Sequence, residues 1–126
     1  MDYVKSFREL EVYKLAREVS KEIFISSKLF PPEERYSLTD QIRRSSRSIG
    51  AQIAEAWGKR RYEMHFISKL TDADSEQLET QHWTEEAIEC KYLDKEEASG
   101  IIKKCESIGR MLHSMIDKSS EFCKKL

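Results

Sequence analysis

The residues with the most chemical promise are a row of cations on one predicted helix. Arg43 and Arg47 stand one helical turn apart with Arg44 beside them, and Lys59, Arg60 and Arg61 follow at the end of the same segment. Guanidinium groups offer paired donors that match phosphate oxygens, so such a row can follow a nucleic-acid backbone. The same cations can instead pair with carboxylates of a neighbouring helix, solvate the surface, or meet an acidic face of another subunit. Gly50, Ala51 and Ala54 fall on the same outward side, where small side chains leave a shallow strip for a closely packed second chain. Arginines and small residues together suit a subunit interface at least as well as an RNA groove.

Other reactive residue types do not assemble into recognised sites. Glu79-Thr80-Gln81-His82 is an ExxH motif of the kind that supplies half of a di-iron carboxylate centre in helical bundles. A full centre needs a second ExxH and two further inward glutamates. Helix phase also turns Glu79 and His82 away from Phe66, Leu70 and Ile88. His65 and His113 are isolated, and Cys90, Cys105 and Cys123 lack the paired short spacing of a zinc site. Glycine loops that cradle phosphates and nucleophile elbows are missing as well. The expectation is a protein with no catalytic residues, resident metal, cofactor or small-molecule substrate. A metal-dependent bundle enzyme is the remote alternative.

The elements that carry these residues are helices. The 126 residues include 4 Gly and 2 Pro against 36% charged and 39% hydrophobic residues, a composition that favours long helices and one domain over 1–126. Helices are expected at about 7–28, 38–57, 62–91 and 95–123. Ser6 with Glu9, and Asp94 with Glu97, form capping-box patterns that open the first and last of them. Leu10, Tyr13, Ala16, Val19 and Ile23 mark an apolar stripe on the first, and Leu38, Ile42, Ile49, Ile53 and Ala56 on the second. Phe66, Leu70, Ala73, Gln77, Thr84 and Ile88 align on the third. Ile101, Cys105, Ile108, Leu112, Met115, Ile116 and Phe122 align on the fourth. Pro31 and Pro32 end the first helix, and Gly58 is placed to end the second. Short connections make these neighbours antiparallel, giving an all-α, up-and-down four-helix bundle.

Two further patterns bear on partners. Helix phase brings Ser45, Gln52, Gln77, Thr80 and Thr84 to the apolar side, which predicts a buried polar layer across facing helices. From Arg35 to Arg61 there are seven Lys and Arg against two Asp and Glu, a balance of +5; from Tyr62 to Glu97 there are three against eleven, a balance of −8. These segments can neutralise each other within one bundle or match between copies. No run approaches the roughly 20 apolar residues of a membrane span. The opening MDYVKSFRELE lacks the apolar block of a secretory leader. Unpaired cysteines fit reduced thiols, so the expected location is cytoplasmic.

The run Gln41-Ile42-Arg43-Arg44-Ser45-Ser46-Arg47-Ser48-Ile49, followed by Gln52-Ile53-Ala54-Glu55-Ala56-Trp57-Gly58-Lys59-Arg60, resembles the signature helix of the bacterial four-helix bundle proteins. These are also called ribosomal-RNA intervening-sequence proteins. Phe7, Leu10, Tyr13, the stretch Phe30-Pro31-Pro32-Glu33-Glu34, and Phe66, Leu70 and Glu79-Thr80-Gln81 extend the likeness over nearly the whole chain. The resemblance implies a left-handed bundle assembled as a homo-oligomer, typically a five-fold ring, without enzymatic activity. It also implies kinship with proteins encoded inside large-subunit (23S) rRNA genes. A related branch, the nucleic-acid-binding accessory proteins of diversity-generating retroelements, is strongly basic, whereas this chain has a net charge of −1. Two functions therefore stand side by side: a bundle whose second helix contacts structured RNA, DNA or a nucleic-acid-associated partner, and a scaffold that binds protein alone.

Overall fold

The computed structural model describes residues 4–123, so positions 1–3 and 124–126 of the expected domain lie outside the described residues. Four long helices, α1 (Glu11–Ser27), α2 (Leu38–Gly58), α3 (Glu63–Glu89) and α4 (Lys95–Asp117), precede a short α5 (Ser119–Cys123). Helix α2 packs on α1 and α3, α4 packs on α3 and α1, and the diagonal pairs stay apart among the described residues. Cross-helix contacts fix the directions. Ser45 meets Thr80 while Gln52 meets Lys69, so α2 and α3 run oppositely. Ser26 meets Glu97 while Glu18 meets Lys104, so α1 and α4 do as well. The result is an up-and-down four-helix bundle.

The core is the four apolar stripes brought together. Val19, Ile23, Ile42, Ile49, Ile53, Phe66, Leu70, Ile101, Ile108 and Leu112 are all buried. Stripe residues at the margins, Tyr13, Ile88, Ile116 and Phe122, are half-buried and pack against this core. Burying one such aliphatic side chain contributes about 1.5–3 kcal/mol, and this sum, not helix propensity, holds the elements in place.

Three helix ends differ from the sequence expectation. Leu10 adopts an extended backbone (φ −68°, ψ 130°) and separates a 3-10 turn, Phe7–Glu9, from α1. Ser6 accepts from the Arg8 N–H, and Glu9 accepts from the Lys5 N–H, so the capping residues serve that turn and not a continuous helix. Gly58 stays inside α2, and Lys59 (φ −106°) closes the helix through its N–H to the Ala56 carbonyl. Lys118 (φ −105°) breaks the expected final helix, and α5 folds against α3, where Phe122 lies 5.7 Å from Phe66. The Asp94 cap forms as expected, its carboxylate accepting from the Glu97 N–H at 2.7 Å.

The polar side chains expected in one layer form separate groups. Between α2 and α3 the Ser45 and Thr80 hydroxyls lie 3.0 Å apart, and Thr84 donates to the Thr80 carbonyl at 2.7 Å. Gln77 faces α4 instead. It donates to Asp74 at 2.9 Å and accepts from Gln81 at 2.8 Å. Gly109 makes room for it, since a Cβ there would lie 2.8 Å from Gln77 Nε2. Gln52 is only half-buried and accepts from Lys69 at the rim, because its position on α2 lies at the edge of the α3 contact. Satisfied hydrogen bonds of this kind remove the penalty of about 1–3 kcal/mol for an unpaired buried polar group.

Candidate functional site

The six cations predicted on the second helix divide among three environments. Arg44 turns towards α3, where Nη2 donates to Glu79 at 3.1 Å and to Gln41 at 2.9 Å. This exposed pair contributes at most about 1 kcal/mol. Arg60 lies over the Trp57 ring, 3.6 Å from its centroid, and donates from Nε to the Trp57 carbonyl at 2.8 Å. Partial burial lowers its pKa from the ordinary arginine value, with Cys123 opposing the shift. Lys59 and Arg61 are exposed beside it.

Arg43 and Arg47 face the other way, across the α1–α2 seam, and converge on Phe24. Their guanidinium carbons stand 4.8 Å and 5.5 Å from the ring centroid, and Lys28 Nζ stands 4.7 Å from it. Arg43 is held by its Nε donating to the buried Ser27 hydroxyl at 2.7 Å, which leaves its terminal nitrogens to the surface. Among the described residues, neither Arg43 nor Arg47 has a carboxylate within ion-pair distance. Each cation–ring contact is worth about 0.5–1 kcal/mol at an exposed site. Two like charges about 6 Å apart in water repel by about 0.7 kcal/mol, which offsets a large part of the roughly 1–2 kcal/mol from the two arginine contacts. An arriving anion adds attraction without displacing an existing partner.

The seam continues on both sides of this cluster. A groove next to Arg47 is lined by Lys14, Arg17, Lys21 and Phe24, with Glu18 the acidic residue among them. Towards the start of α2 a second groove is lined by Arg35, Tyr36, Asp40, Arg43, Arg44 and Arg47. Beyond Arg47 in the other direction, Ala51 and Ala54 floor a shallow depression walled by Phe7, Tyr13 and Arg17. Gly50 lines this depression together with the two alanines. It is buried beside Tyr13, whose ring lies 3.5 Å from where a glycine Cβ would stand, an ordinary van der Waals separation.

Sequence reasoning found Arg43 and Arg47 but not Phe24, Ser27, Arg35 or Tyr36. The signal was there for Phe24: it directly follows the stripe residue Ile23, so its ring must point off the core face. The ExxH motif is used structurally. Glu79 accepts from Arg44 and from the Trp83 indole at 3.0 Å, while His82 is exposed against the edge of Trp83. His113 pairs with Asp74 at 3.0 Å. His65 stands against the Tyr62 ring, 5.4 Å between centroids. Among the described residues, no three His, Cys, Asp or Glu side chains converge as metal ligands. No helix among the described residues is long and apolar enough to cross a membrane.

Residues 8–114 match the pattern of the 23S rRNA-intervening sequence protein family. The fold is similar to the crystal structure of a protein of unknown function from the S23 ribosomal protein family of Bacteroides thetaiotaomicron. That similarity has a TM-score of 0.76 at 32% sequence identity and covers 84% of this chain and 95% of the other. No curated protein matches the chain.

Proposed function

The chain belongs to the 23S rRNA-intervening sequence protein family, and on that premise we propose that it is a non-catalytic bundle that contacts structured RNA through its α1–α2 face. The observation that carries this reading is the convergence of Arg43, Arg47 and Lys28 on Phe24 with no carboxylate on either arginine among the described residues. Arg44, by contrast, is paired with Glu79. The family description names 23S rRNA, which makes RNA the first polyanion to test. A slightly acidic net charge is compatible with this function, because the cations are gathered on one face and α3 carries much of the acid.

Titration of the protein into labelled structured RNA at low and near-physiological salt tests the reading. Binding is expected to weaken steeply with salt. Arg43→Ala with Arg47→Ala should weaken it by tenfold or more at low salt and flatten the salt dependence, because two phosphate contacts are lost. Absence of binding by the parent protein at low salt would refute the proposal.

A second reading concerns assembly. The depression floored by Ala51 and Ala54 has the shallow form that a second copy can fill. Arg47 lines this depression and also reaches Phe24, so a second copy seated here would share that side chain with the RNA face, whereas Arg43 lies outside the depression.

A further inference from the structure

Resting on the RNA reading of the α1–α2 face, we infer that the groove at the start of α2 takes unpaired nucleotides, with a base stacked on Tyr36 and phosphates on Arg43 and Arg47. Tyr36 lies two residues before α2 and is 83% exposed, among the most solvent-accessible aromatic side chains in the molecule. The Arg35 guanidinium carbon stands 5.2 Å from its ring centroid, and the ring lines the same groove as Arg43, Arg44 and Arg47. Leu29, 86% exposed, adds apolar surface on the same inter-helix connection.

A purely electrostatic track for duplex RNA needs cations and no open rings. Paired bases in an A-form helix hide their faces, and proteins read such a helix through phosphates and 2′-hydroxyls. An exposed aromatic beside arginines matches the other mode of RNA recognition, in which splayed bases stack on rings while cations hold the backbone. Asp40 strengthens the distinction. A carboxylate in the groove opposes a continuous line of phosphates, yet it offers an acceptor for the amino group of an unpaired cytosine or another amino-bearing base. Arg43 and Arg47 are separated by about 6 Å along the helix axis, so a short segment of backbone can lie across both.

The test uses the full chain with two labelled RNAs of equal length, a hairpin with an unpaired loop and a blunt duplex, in anisotropy titrations at low salt. The parent protein should prefer the hairpin. Tyr36→Ala should lower hairpin affinity about tenfold, leave duplex affinity unchanged, and be rescued by Tyr36→Phe, which keeps the ring. Tyr36 is outside the core, and circular dichroism of each variant verifies that the bundle is intact. If Tyr36→Ala changes neither affinity, or both equally, while Arg43→Ala with Arg47→Ala weakens both, the face binds RNA but the unpaired-base inference is overturned. If the parent protein binds neither RNA, both the inference and the reading beneath it fail.

Discussion

Individual side chains owe their chemistry here to where the bundle places them, and the three thiols illustrate it. Cys105 is fully buried on α4, and burial pushes its thiol pKa up to about 12, with Glu106 and Glu22 adding to the shift. The thiolate is the reacting form, so Cys105 is inert in the folded protein at neutral pH. Cys90 is exposed at the end of α3, and Cys123 is half-buried with its pKa raised by burial and by Glu63. Thiol titration with a disulfide reagent at pH 8 should therefore show Cys90 reacting first, Cys123 more slowly, and Cys105 only after denaturant is added. Rapid modification of Cys105 in the native protein would contradict the packing. The position of Cys105 was legible from its place in an apolar stripe. The site aromatics were harder to read, because their role depends on chain segments far apart in sequence. Phe24 meets Arg47 across twenty-three positions, and no local pattern encodes that contact.

At the scale of the element, helix bodies follow their periodicity while helix ends depend on competition between local conformations. The end of α3 is the clearest case. Lys91 sits at φ 65°, the left-handed region, and the Tyr92 N–H reaches the Ala87 carbonyl at 2.8 Å while the Lys91 N–H reaches that of Ile88. This is a Schellman closure built on a lysine where glycine is the common residue. A side chain in that conformation costs about 1–2 kcal/mol, partly offset in comparison with glycine by the greater unfolded-state entropy of glycine. Lys91→Gly should consequently raise stability by about 0.5–1 kcal/mol, or about 2–4 °C in thermal midpoint. An unchanged or lower midpoint would mean that the lysine side chain contributes an offsetting interaction. Gly58 carried the sequence signal for such an end but does not use it, because the backbone after α2 turns without leaving negative φ. The tie after α1 was hidden for a different reason. Glu34 accepts from the Leu38 N–H at 3.2 Å and from the Tyr92 hydroxyl at 2.9 Å, joining two connections 58 positions apart. That hydrogen bond, followed by burial and neighbouring charge, pushes the Tyr92 pKa up to about 12.

For the whole molecule, the bundle was legible because all four stripes point to one core, whereas surfaces for partners are not encoded by burial. The basic and acidic segments meet within the chain at the Arg44–Glu79 pair, which leaves Arg43 and Arg47 outside that exchange. Assembly through the Ala51–Ala54 depression is tested by sedimentation velocity at micromolar concentration. Ala51→Glu with Ala54→Glu should shift an oligomer towards monomer, while Arg43→Ala, outside the depression, should leave the mass unchanged. Dissociation caused by the arginine variant would instead assign that side chain to the subunit contact and remove support from the RNA reading. The up-and-down path also has a practical result. Phe7, which packs on Tyr13, and Phe122, which packs on Phe66, lie towards the end of the bundle that holds the α2–α3 turn. Tyr36 lies at the opposite end, about 30 Å away along the 21-residue length of α2. A fluorophore, a surface tether or a fused domain joined after α5 therefore has the length of the bundle between itself and the groove. Immobilised protein would present its arginine-lined end to solution, ready for single-molecule measurement of RNA capture.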